Sequence, residues 1–180
     1  MPLPVNLFRG EKEMIDYIFS RLDPLRPVLQ DDLPKDPLGL CYWLLGPTTL
    51  TFLLGDTTKP IGIFVVADIQ PNENAWGHVF VWDHDGFDYK DLVEAAKVVA
   101  AAVMGQFNLW RLSGLTPANN AKALAFLLAV GFKREGRIRD AVKIGGERCD
   151  AWVSGMTKGD LREALGLAPL EPDTIEEKPS

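Results

Sequence analysis

Two cysteines and two histidines in 180 residues are too few for a disulfide framework or a zinc site. Cys41 and Cys149 are far apart in sequence and stand among apolar, strand-like neighbours, where an inert buried thiol is expected. Positive charge is scarce too. The chain has 19 Lys and Arg against 25 Asp and Glu, a net charge of −6, which excludes a nucleic-acid binder built on a broad basic face. No apolar stretch approaches the roughly 18 residues of a membrane span. No basic segment leads into an apolar run near Met1, so no secretory signal is read and the expected location is cytoplasmic. Internal repeats and long low-complexity tracts are missing as well.

What is present suits one packed core. The hydrophobic fraction is 47% and the charged fraction 24%, values of an ordinary globular chain of single-domain size. A single domain is expected over 1–166, followed by an acidic, proline-containing and mobile tail over 167–180. Lys133, Arg134, Arg137 and Arg139 form the one local concentration of positive charge, read as a solvated strand face.

Periodicity orders the elements. Met14, Ile15, Ile18, Phe19 and Leu22 share one face of a helix over 11–22, which Pro24 and Pro27 terminate. Residues 31–38 read as a proline-bearing acidic loop, either of the kind that borders substrate sites or a plain surface connection. The first strand is expected at 40–45 or 50–54. The second, over 60–69, carries Ile61, Ile63, Phe64, Val65 and Val66 and is expected to be buried on both faces. In the third, over 76–82, Trp76, His78, Phe80 and Trp82 share one face, while Gly77, Val79 and Val81 share the other. A long helix follows to about Gln106, opened by Phe87 or capped by Asp88. A strand over 109–115, a helix over 118–130 and a hairpin over 134–156 turning at Gly145-Gly146 complete the pattern, with a short helix over 157–165. This order is α+β: a mixed, mostly antiparallel sheet with helices on both faces.

The segment Asn120-x-x-Ala123, closing on Gly131-Phe132 and followed by Glu135-Gly136-x-x-Arg139 and a hairpin with Asp150, resembles the C-terminal half of the GNAT (Gcn5-related N-acetyltransferase) superfamily. It is most similar to the branch that modifies protein N-termini and small amines. The resemblance covers about 50 residues. It implies a parallel strand pair, the strand at 76–82 and that at 109–115, which splays apart to admit acetyl-CoA as co-substrate.

On that resemblance, coenzyme contacts fall to Phe80, Val81, Trp82, Gly86, Phe87 and Asp88, and to Asn120 and Ala123. Asn119 competes with Asn120 as the helix cap. The candidate catalytic groups are His78 and Glu73 as bases and Ser113 as a proton donor. The tyrosine many members carry four residues before Gly-Phe is replaced by Leu127. Arg139 is expected to pair with Asp150 across the hairpin. No metal is implied.

The family's pyrophosphate loop, Gln/Arg-x-x-Gly-x-Gly/Ala, is supplanted by Asp83-His84-Asp85-Gly86-Phe87-Asp88-Tyr89-Lys90-Asp91. A strongly anionic ligand would there meet four aspartates. Two functions follow from the resemblance. One is an N-acyltransferase moving an acetyl group from acetyl-CoA to a small-molecule or protein amine. The other is an inactive GNAT-fold binding or structural protein, of a sort met among phage-encoded proteins. Neither involves nucleic acid or a membrane, and the sequence leaves the oligomeric state open.

Overall fold

A computed structural model describes residues 3–168 apart from 84 and 86, so Gly86, His84 and most of the acidic tail lie outside the described residues. Seven strands form one sheet in the order β1-β2-β3-β4-β5-β7-β6. They are β1 (Val5–Leu7), β2 (Leu50–Gly55), β3 (Pro60–Ala67), β4 (Asn74–Val81), β5 (Arg111–Pro117), β6 (Lys133–Ile144) and β7 (Glu147–Thr157). All neighbours are antiparallel except β4 and β5, which run parallel. Helices α1 (Lys12–Leu22), α2 (Pro37–Leu44), α3 (Tyr89–Gln106), α4 (Ala121–Val130) and α5 (Lys158–Ala164) flank the sheet.

β3 shows why the sheet carries helices on both faces. Ile63, Val65 and Ala67 pack with α1 and α2 through Ile15, Ile18, Leu40 and Leu44. Phe64 and Val66, one residue out of phase, pack with α3, α4 and α5 through Val99, Val103, Phe126 and Leu161. A strand apolar on both faces has to be covered twice, as its unbroken apolar run predicts. The α+β reading with helices on both faces stands.

Three readings change. Residues 40–45 are helical, so the first expected strand is the one at Leu50–Gly55, and Cys41 sits on α2. The signal lay in Asp36-Pro37: the Asp36 carboxylate accepts a hydrogen bond from the Gly39 amide at 2.8 Å, and proline suits the first helical position. The proline-bearing stretch that suggested a loop is, at its end, a helix start. β1 was not foreseen; its three residues lie along β2 at the sheet margin. In the hairpin, Arg137 rather than Arg139 reaches Asp150, with Nε 2.8 Å from Oδ2. The cause is a register shift between Ile138 and Val142, which places Asp140 at a positive φ of 51° and displaces the simple cross-strand alignment.

Candidate functional site: an opening between two diverging strands

β4 and β5 pair only through Asn74↔Arg111, Ala75↔Leu112 and Trp76↔Ser113. Both strands continue, β4 to Val81 and β5 to Pro117, but the pairing between them stops. β4 stays bonded to β3 on its far side through Val81, and β5 to β7 through Pro117. The two halves of the sheet therefore separate like the sides of a wedge. The opening is a cavity of about 170 Å³.

Backbone direction on β4 follows from a single bond. Trp82 N–H donates to Ile61 O at 3.0 Å, so by alternation the even residues of β4 direct their N–H and C=O toward β3. The Gly77 N–H makes the last bond to β5 in the Trp76↔Ser113 pairing, so the Gly77 C=O and both backbone groups of Val79 aim into the opening beyond it. Glu73 obeys the same parity: its carbonyl accepts from Trp110 N–H at 2.9 Å on the β5 side.

α4 roofs the opening. Asn120, Ala123 and Leu127, spaced i, i+3, i+7, line it from one helical face. The Asn120 carbonyl oxygen accepts from Ala123 N–H at 3.0 Å, so Asn120 rather than Asn119 is the N-cap. Gly131 ends the helix at φ 116°, a conformation that favours glycine. A Cβ there would also stand 2.7 Å from Ala164 Cβ, so the Gly131-Phe132 step joins α4 to α5.

The other wall comes from the segment before α2, with Leu29, Gln30, Asp32, Leu33 and Pro34, and from Trp43 on α2. Two contacts hold this segment. Arg26 Nη2 donates to Pro34 O at 2.6 Å. The Asp31 carboxylate accepts from the Gly145 and Gly146 amides at 2.8 and 3.0 Å, while Asp31 N–H donates to Lys143 O at 2.8 Å. The tip of the β6–β7 hairpin thus fastens the outer wall.

His78 is the titratable side chain set deepest in this opening. Its ring lies edge-on to Trp43, with centroids 5.6 Å apart. Burial pushes its pKa below the ordinary 6.5, against a weaker upward pull from Asp32 and Asp68. At neutral pH the imidazole is therefore uncharged and able to accept a proton.

Of the residues singled out from sequence, His78, Phe80, Asn120 and Ala123 line the opening. Val81 and Phe87 pack instead against the core beneath α3 and α4. Trp82 donates from Nε1 to Pro60 O at 2.8 Å and meets Tyr17 edge-on. Asp88 caps α3, accepting from Lys90 N–H at 2.8 Å.

Glu73 and Ser113 lie at the closed end of the wedge. Ser113 is buried and its hydroxyl is committed: it donates to Asn74 Oδ1 and accepts from Arg111 Nε, each at 2.9 Å. Arg111 in turn pairs with Glu135 on β6, which gives the Glu135-Gly136 motif a structural task. That pair holds the Arg111 pKa up and the Glu135 pKa down through their hydrogen bond. Asp32 and Trp43 were missed as site residues. The one sequence signal for Asp32 was the acidic, proline-bearing loop, and Trp43 lay outside it.

No protein-family profile matches the chain, and no curated protein matches it. Solved structures do. A mutant of SpeG spermidine N-acetyltransferase from Vibrio cholerae superposes with a TM-score of 0.73 at 16% identity, covering 91% of this chain and 96% of that one. A dodecameric form of spermidine N-acetyltransferase from Vibrio cholerae, in an intermediate state, gives 0.67 at 16% identity over 87% and 94%. A probable acetyltransferase gives 0.67 at 13% identity over 86% and 93%. At these identities the likeness is one of fold.

Proposed function

We propose, from the premise that this chain has the GNAT fold, that it is an N-acyltransferase passing an acetyl group from acetyl-CoA to an amine. The observation that carries the reading is the opening between β4 and β5, in which a neutral His78 stands beside backbone groups released from sheet pairing.

The residues present fit the pantetheine and acyl part of such a donor. Gly77 C=O and the N–H and C=O of Val79 form an unpaired strand edge, which an extended amide-bearing arm satisfies as a neighbouring strand would. Ala123 and Leu127 give an apolar roof. A bound thioester supplies the electrophilic carbonyl.

The chain's own groups do the rest. A backbone N–H of β4 donates to the carbonyl oxygen as charge develops there. His78, on the α1–α2 face of β4, takes the proton of the attacking amine. As the C–N bond forms the C–S bond breaks, and the thiolate leaves. Leu127 cannot protonate it, so that proton comes from solvent or from the histidine.

The diphosphate end fits less well. Asp83, Asp85, Asp88 and Asp91 gather before and within the first turn of α3, where the helix terminus would otherwise favour an anion. These four carboxylates favour the second reading, a GNAT-fold binding protein that does not use the coenzyme.

Calorimetry with acetyl-CoA and with acetylpantetheine, which lacks the nucleotide, separates the two. The enzyme reading expects both to bind and both to release free thiol when an amine is added. At a hundredfold its Kd, a ligand stabilises the fold by about 2.7 kcal/mol. Absence of binding by either at millimolar concentration removes the enzyme reading and leaves the other.

A further inference from the structure

The outer wall of the opening is chemically lopsided. Three carboxylates stand in the segment 31–36, and two are occupied by backbone. Asp31 holds the Gly145 and Gly146 amides, and Asp36 caps α2. Asp32 alone of the three lines the cavity. Among the described residues its oxygens accept no hydrogen bond and join no ion pair. It is close enough to His78 to pull that ring's pKa upward. Of its neighbours on the wall, Gln30 is polar and Leu29, Leu33, Pro34 and Trp43 are apolar.

The same wall is not free to swing away. Asp31 ties it to the hairpin tip by three hydrogen bonds, two received by its carboxylate and one given by its amide. A polypeptide entering between that segment and the hairpin would have to break all three. A long polycation would find one carboxylate in the cavity where it needs two or more.

We infer that the acceptor is a compact primary monoamine with an apolar body, its ammonium bound at Asp32 and its body against Leu33, Pro34 and Trp43. This rests on the acyltransferase reading and narrows it. The ammonium and Asp32 form a charge-assisted hydrogen bond, and the apolar body displaces water from a partly enclosed surface. Bound there, the nitrogen lies near His78, which takes a proton from it before or during attack.

The test titrates the full chain with 2-phenylethylamine, spermidine and a hexapeptide bearing a free amino terminus, each with and without saturating coenzyme A. The aromatic monoamine is expected to bind about tenfold or more tightly than either competitor. In Asp32→Asn that affinity drops by about tenfold or more, the worth of one hydrogen bond to a charged group. Binding of 2-phenylethanol, which lacks the charge, is weak and the same in both proteins. Asp32 is exposed and bonded to nothing among the described residues, so the variant keeps its fold, which its melting curve verifies.

Tighter binding of spermidine or of the peptide overturns the inference. So does unchanged monoamine affinity in Asp32→Asn, or no saturable amine binding at millimolar concentration in either condition. Failure of the donor reading is seen separately, as acetyl-CoA that does not bind while the amine titrations still read.

Discussion

Asp31 and Gly146 stand 115 residues apart in sequence and 3.0 Å apart in space, the aspartate Oδ2 accepting the glycine N–H while Oδ1 takes that of Gly145. Both glycines have positive φ, 58° and 88°, so their consecutive N–H groups turn toward one anion. The contact fixes the wall of the cavity to the far end of the sheet.

Removing the carboxylate tests this tie. In Asp31→Ala the Gly145 and Gly146 amides are expected to exchange with solvent faster, while amides of β3 keep their protection. The pH dependence has a definite sign. The hydrogen bond from Gly146 leads in lowering the Asp31 pKa below the ordinary 3.8, against a smaller upward push from burial. A carboxylate depressed on folding contributes stability above its unfolded pKa and loses it as pH falls through the folded value. The Gly145 and Gly146 amide shifts should therefore hold through pH 4 and change below 3.8.

His78→Gln addresses the base. The variant should lose about 10²–10⁴-fold in kcat with acetyl-CoA affinity unchanged. Burial lowers the His78 pKa below 6.5, so the wild-type acid limb of kcat/KM should have its midpoint below that value. The linkage runs the same way: protonating this ring costs the folded state more than the unfolded one, so stability declines as pH falls below 6.5. An acid limb above 6.5, or one that persists in His78→Gln, contradicts the assignment.

Asn120 has a cap to hold and a cavity to line, and two variants part these tasks. Asn120→Ala loses the bond to Ala123 N–H and should destabilise by about 0.5–2 kcal/mol. Asn120→Ser keeps a cap oxygen and should restore most of that stability. If the side-chain amide also meets the donor, acetyl-CoA affinity stays reduced in both. Thermal melts beside calorimetry give the two readings.

Gly62 lies on β3 directly behind β4. A Cβ there would run into the Phe80 carbonyl oxygen and stand 3.1 Å from Val81 Cα. Both are backbone and cannot yield without moving β4. Gly62→Ala should cost about 1–3 kcal/mol through overpacking. Because the strand it displaces forms one side of the opening, donor affinity should fall with it.

The sheet was legible in sequence where apolar periodicity was strong. β3 announced burial on both faces, and the alternation of β4 placed His78 and Phe80 on one face. The Asn120-to-Phe132 segment announced a helix with both ends marked. The parts not legible were those set by tertiary context. Residues 40–45 are apolar and short, and such a run suits strand or helix alike; the Asp36-Pro37 start decided it. Three residues at β1 are too few for a periodic signal. Ser113 read as a proton donor because the sequence does not show Arg111 and Asn74 converging on its hydroxyl. Asp32 was one aspartate among three in a loop, and only the bonds made by Asp31 and Asp36 set it apart. The pairing of Arg137 with Asp150 depended on a register shift that hydrophobic alternation does not encode.

The account stands on the backbone edge that β4 presents once its pairing with β5 ends after Trp76 and Ser113. Amide shifts of the isotope-labelled protein, followed while acetylpantetheine is added, test it most directly. The account predicts saturable shifts at Gly77, Val79 and Ala123, with β2 undisturbed. Saturation with no change at Gly77 and Val79 would place the thioester elsewhere and contradict it.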